Sequence, residues 1–137
     1  MSAARRAVPR GTGYLVAAVA HLARVTALSA IPGPSWRSLG IVVWDKLVHV
    51  AEFAPLGFFV ASFVLVRGRS ARLRWARALV AATIAAGIAG AADELHQWFV
   101  PGRSASVLDG VADAVGGAAG AALAIAWRAG RGRRASR

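Results

Sequence analysis

Apolar residues in this chain come in long unbroken runs, not at the three-to-four-residue interval of a soluble amphipathic helix. A bilayer core about 30 Å thick needs ~20 predominantly apolar residues per crossing helix. Four segments reach or approach that length: residues 13–30, 47–66, about 76–99 and 107–127. His21 and Arg24 interrupt the first. The second is the most hydrophobic, with Phe53, Phe58, Phe59 and Phe63. The third is alanine-rich before it turns polar, and the fourth is rich in Ala and Gly. Pro32-Gly33-Pro34 and Pro101-Gly102 read as turns between spans. The pattern predicts an all-α protein, a four-helix transmembrane bundle over residues 13–127, with a basic segment at 1–12 and a basic tail at 128–137. The first span also has some features of a signal peptide, with Ala27-Leu28-Ser29 as a weak cleavage site, but His21 and Arg24 break its apolar region and favour an uncleaved span.

Charge sharpens this picture. Seventeen Lys and Arg against six Asp and Glu give a net charge of +11. That total first points to nucleic acid, but the arginines flank apolar runs and do not form one basic face, so no nucleic-acid partner is expected. Three basic residues precede the first span, two separate spans one and two, five separate two and three, one separates three and four, and five follow the fourth. Thirteen thus fall on one side and three on the other, with Arg24 inside the first span. The positive-inside rule then assigns both termini to the cytoplasm and predicts a multi-pass protein of the plasma (inner) membrane in contact with the lipid bilayer. Trp44, Trp75, Trp98 and Trp127 sit at span ends, Trp36 lies in the first outer loop, and Tyr14 starts the first span. Such rings favour the headgroup level. The 57% hydrophobic content excludes disorder. The absence of Cys excludes disulfides, a thiol nucleophile and a zinc–thiolate site.

On this topology all six acids fall in the outer half. Asp45 lies at the mouth of span two, and Glu52 lies about 10 Å deeper at 1.5 Å per residue. Asp93 and Glu94 occupy the last turns of span three, and Asp109 and Asp113 the first turns of span four; His49 and His96 join them. Asp45, His49 and Glu52 stand at i, i+4 and i+7, which predicts one helix face, as do Asp93, His96 and Gln97 at i, i+3 and i+4. Asp109 and Asp113 are i, i+4, and Gly116 and Gly120 continue their stripe as a surface for close helix approach. Ser106 is placed to cap span four, with Asp109 completing a capping-box-like pattern. A carboxylate at the bilayer centre costs ~2.5–3.5 kcal/mol on insertion scales. These faces are therefore expected to point inward, with Arg103, Lys46 and Arg24 as partners, and to form a polar crevice open to the outside. Pro55 is expected to kink span two and free the Ala51 carbonyl.

Three stretches resemble the motifs of the VanZ-like membrane proteins. Asp45-Lys46-Leu47-Val48-His49, followed by Glu52-Phe53 and Leu56-Gly57, is similar to the first. Asp93-Glu94-Leu95-His96-Gln97-Trp98-Phe99-Val100-Pro101-Gly102-Arg103-Ser104-Ala105-Ser106 is similar to the second, in which an acidic pair precedes Gln and a Pro-Gly-Arg turn. Asp109 through Asp113 to Gly116-Gly117 and Gly120 is similar to the third. Glu52-Phe53 stands where the family often has an aromatic such as Tyr, and Asp113 where Asn is expected. The resemblance covers roughly residues 31–124. It implies a small four-helix integral membrane protein in a family whose namesake is associated with reduced susceptibility to the glycopeptide teicoplanin.

Two functional readings stay open. In the first, the crevice binds an envelope ligand: a lipid-linked cell-wall precursor, a sugar or phosphate headgroup, or a glycopeptide. Arg103 would meet a phosphate or carboxylate, and Asp109 and Asp113 would accept hydrogen bonds. This gives the protein a role in cell-envelope physiology or antibiotic resistance. In the second, His49, His96 and the carboxylates form a membrane-embedded hydrolase or transferase acting on a headgroup substrate. That chemistry would run with a divalent metal as cofactor or as acid–base chemistry without one. The candidate residues under both are Asp45, Lys46, His49, Glu52, Asp93, Glu94, His96, Gln97, Arg103, Ser104, Asp109 and Asp113. Binding is preferred to catalysis. A proton path is disfavoured, because the cytoplasmic half offers no relay beyond His21.

Overall fold

The computed structural model describes residues 9–33, 45–68 and 71–135. Arg5, Arg6, Trp36, Arg37, Trp44, Arg69 and Arg137, which entered the charge and aromatic pattern, lie outside the described residues. Four helices make up the fold: α1 (Thr12–Ser29), α2 (Asp45–Arg67), α3 (Ala71–Gln97) and α4 (Val107–Ala135), with no strand among the described residues. Three of them are long and apolar enough to cross a membrane, over Asp45–Arg67, Leu73–Gln97 and Val107–Arg134. α1 is the shortest at 18 residues and carries His21 and Arg24. α3 begins about a turn earlier than its apolar run, and α4 continues past Trp127 through the basic tail. Ala and Arg are good helix formers, so the apolar pattern marks the spans and not the helix ends.

Small residues decide how the helices meet. α2 and α4 share the most extensive interface, α3 packs against both, and α1 lies outermost against α2 with a smaller contact to α3. A Cβ at Gly120 would land on the Ala54 carbonyl, and one at Gly57 on the Gly117 backbone. Gly116 and Gly120 therefore form the expected close-approach surface, and Gly57 extends it from the facing helix. One core cluster gathers Ala61, Leu65, Ala78, Ala82, Ala121 and Ala124. A second joins Val25 of α1 to Phe53 and Leu56 of α2 and Ala86 of α3. The large aliphatics Val19, Ile84, Ile88, Val111 and Leu123 face outward. An apolar surface this broad would drive a soluble protein to associate; against hydrocarbon it faces a matching solvent.

The two ends of the bundle differ in charge. At one end the Gly33 N–H donates to the Pro101 carbonyl (3.1 Å), so the exit of α1 rests on the α3–α4 turn. Gly102 makes that turn at φ +75°, a conformation L side chains resist. The acids lie at this end. At the other, a cavity of about 900 Å³ is lined by Tyr14, Trp75, Trp127 and the arginines Arg74, Arg128 and Arg131. Arg131 stacks over Trp127 there, 4.9 Å from the ring centroid.

Pro55 sits inside α2, which continues through it. The ring removes the N–H that would serve the Ala51 carbonyl and crowds the preceding turn. His21 Nε2 lies 2.7 Å from the carbonyl of Glu52, one residue on from the carbonyl expected to be freed. A carbonyl can only accept, so Nε2 carries the proton.

Candidate polar site at the acidic end of the bundle

Three helices deliver the polar groups. From α2, Lys46 Nζ donates to Asp45 Oδ2 at 2.9 Å and also to Asp109 Oδ1 of α4. One turn further along α2, His49 Nδ1 lies 2.9 Å from Asp113 Oδ1, and its Nε2 lies 3.8 Å from Asp109 Oδ2. From α3, Gln97 Nε2 donates to Asp93 Oδ2 at 2.7 Å, and Glu94 Oε2 accepts the backbone N–H of Ser106. Asp113 is fully buried, and Asp93, Glu94, Gln97 and Asp109 are each less than a tenth exposed. Among the described residues, Asp93 Oδ1, Glu94 Oε1 and Asp113 Oδ2 have no hydrogen-bond partner. Buried carboxylate oxygens without one are uncommon.

Helix geometry explains which candidates converge. A helix turns about 100° per residue. Seen from Asp93, Gln97 lies about 40° round and Glu94 about 100° round on the same side, while His96 lies about 60° round the other way. The turn that buries Asp93, Glu94 and Gln97 therefore leaves His96 exposed, outside the group it was expected to join. The same rotation separates Glu52 from His49. Glu52 faces α1 and pairs with Arg24 at 3.9 Å, whereas His49 faces α4. Asp45 stands largely exposed at the rim, where it holds Lys46. Ser104 is exposed on the turn. Arg103, expected to face a ligand, donates from Nε and Nη2 to the carbonyls of Ile31 and Leu28 (3.2 and 3.4 Å). It thereby serves a carbonyl of the last turn of α1 and one just beyond the helix, a place suited to a cation.

Two features escaped the sequence pattern. A capping box on span four would pair Asp109 with the Ser106 N–H. Glu94 reaches across from α3 to take that N–H, which leaves Asp109 to Lys46 and His49. Gly90 is the other: a Cβ there would strike the Asp113 carboxylate, so this glycine makes the room in which Asp113 is buried. Its one visible signal is its place a turn before Asp93 in an otherwise alanine-rich run.

Chemically, an imidazole held by a carboxylate and facing a second carboxylate can move a proton or ligate a metal. His49, Glu94 and Asp109 each offer a ligand atom, all within 4.8 Å of one another. Glu94 and Ser106 also line an apolar groove of about 750 Å³ between α3 and α4, walled by Gly87, Ala91, Leu95, Val111 and Ala114. A protein-family model described as VanZ/LLP1 matches residues 12–128, a stretch that takes in the whole polar group and the groove. No curated protein and no solved structure matches the chain.

Proposed function

The chain belongs to the VanZ/LLP1 family, and on that premise we propose that it is a multi-pass plasma-membrane protein, both termini cytoplasmic, whose outer end binds the polar headgroup of a lipid-linked envelope ligand. The observation that carries this reading is the position of Glu94. It belongs to the buried polar group and also lines the apolar α3–α4 groove. A ligand's hydrocarbon chain would lie in the groove, with its headgroup at the polar group. The groove's volume falls in the range of ordinary ligand sites, about 300–1,000 Å³. Asp109 and Asp93 would accept hydrogen bonds from sugar hydroxyls or amides.

Several features support the orientation. α1 serves as a fourth crossing: its 18 residues reach about 27 Å, its His21 bonds the Glu52 carbonyl, and its half-exposed Arg24 pairs with the Glu52 carboxylate. The embedded domain is then residues 13–127, with the basic flanks 1–12 and 128–137 on the cytoplasmic side. The arginine-lined end suits the anionic inner leaflet. In the cell, headgroup binding would serve envelope physiology and lower susceptibility to glycopeptide antibiotics such as teicoplanin.

The test is binding of a lipid-linked saccharide pyrophosphate to the purified protein in detergent. Ala91 is exposed in the groove, so Ala91→Trp fills the groove without entering the core. Saturable binding by the wild type and a loss of about tenfold or more in Ala91→Trp, equivalent to ~1.4 kcal/mol, is the expected result. Equal affinity in the two proteins refutes the groove. A second reading, hydrolysis or transfer at the same headgroup, draws on the His49–Asp113 pair. It requires release of the headgroup or of phosphate from the same probe, and loss of that release in His49→Ala.

A further inference from the structure

We propose that His49, Glu94 and Asp109 form a divalent-cation site, suited to zinc or manganese, at the headgroup end of the bundle. Each of the three is tied down through one polar atom and keeps a second. His49 is held through Nδ1 by Asp113, which leaves the Nε2 lone pair on the side of Asp109. Asp109 is held through Oδ1 by Lys46, and its Oδ2 faces His49 Nε2. Glu94 is held through Oε2 by the Ser106 N–H. A metal-binding histidine commonly donates its other ring N–H to a carboxylate, which fixes its tautomer and orientation; Asp113 does this here.

Two separations show that the trio is not already satisfied by itself. The 3.8 Å between His49 Nε2 and Asp109 Oδ2 is too long for a hydrogen bond. It does admit an ion bound at ~2.0–2.2 Å to both atoms. Independently of that geometry, Glu94 is nine-tenths buried, and its Oε1 has no partner among the described residues although the side chain belongs to the trio. One imidazole with two carboxylates and no thiolate suits zinc or manganese and not a soft ion. Three protein ligands also leave a coordination position open.

The ion gives the headgroup reading a sign. A phosphate entering this end would meet Asp93, Glu94, Asp109 and Asp113, and repulsion would oppose it. A divalent ion offsets much of that negative charge and offers its open position to a phosphate oxygen. The ion's role therefore rests on the headgroup reading, while the site itself stands on the three ligands.

The experiment uses the full chain without an affinity tag, stripped with chelator and titrated separately with zinc and manganese by calorimetry, with metal content measured in parallel. About one ion per chain is expected for at least one of the two metals. Glu94→Gln, nearly isosteric, should weaken binding about tenfold or more, and Asp113→Asn by about 10–100-fold, because a neutral amide in place of the carboxylate makes His49 a weaker donor to the ion. His96→Ala, at an exposed position outside the polar group, should bind as the wild type does. Melting curves of each variant show whether a lost site reflects a lost fold. If Glu94→Gln is misfolded, Asp109→Asn takes its place. No bound ion, or undiminished affinity in the folded ligand variants, overturns the site. Binding of the saccharide pyrophosphate, measured with the metal present and in excess chelator, separates the two claims: probe bound equally in both with no metal site sinks only the ion, and metal bound with no probe binding sinks only the headgroup.

Discussion

At the scale of single residues, Asp113 carries the most consequence. It is fully buried, touches His49 through one oxygen and occupies the space left by Gly90 with the other. Asp113→Asn keeps an acceptor for the His49 N–H and the same volume, so its melting temperature should stay near that of the wild type. Asp113→Ala strands a buried N–H and opens a void, and should lose about 1–3 kcal/mol in thermal or denaturant unfolding. Equal loss in both would show that the pair with His49 is not what holds Asp113 in place. The sequence made His49, Asp109 and Asp113 legible because i, i+4 spacing near a helix start is a strong constraint. It misplaced His96 and Glu52 because spacing says which residues share a face of one helix. It does not say which neighbour that face meets, and a rotation of about 60° moves a side chain from one partner helix to another.

At the scale of elements, the interface of α2 with α4 depends on backbone contact through glycine. Gly120→Leu would force a side chain onto the Ala54 carbonyl and push the two helices apart, with an expected cost of about 1–3 kcal/mol. Gly130→Leu, at a position where an added Cβ meets nothing within 4 Å, should leave stability unchanged. Comparable losses in the two variants, measured by unfolding in the same detergent, would contradict the packing. The Gly116–Gly120 stripe was readable because a small-residue repeat has one dominant use in membrane helices. Gly57 and Gly90 were not, since an isolated glycine in an apolar run gives no sign of what it faces. Arg103 shows the same limit. Its position on the turn gave no sign that Nε and Nη2 reach the end of α1, distant in sequence.

At the scale of the whole molecule, polarity is sorted along the helix axes. The buried carboxylates, Lys46 and His49 gather around the α3–α4 turn, while Trp75, Trp127, Arg74, Arg128 and Arg131 gather at the far ends of α3 and α4. The helical class and this sorting could be read from hydropathy and charge, because a bilayer imposes both on any chain that crosses it. The burial of Asp93, Glu94, Asp109 and Asp113 could not, since burial depends on how three helices interlock. The central claim is that the acidic end faces outward. The chain has no Cys, so Ser104→Cys and Arg134→Cys, at exposed positions near opposite ends of α4, can be compared in intact cells with a membrane-impermeant maleimide. The account predicts that Ser104→Cys is labelled at once and Arg134→Cys only after the membrane is permeabilised. Labelling in the opposite order would contradict it.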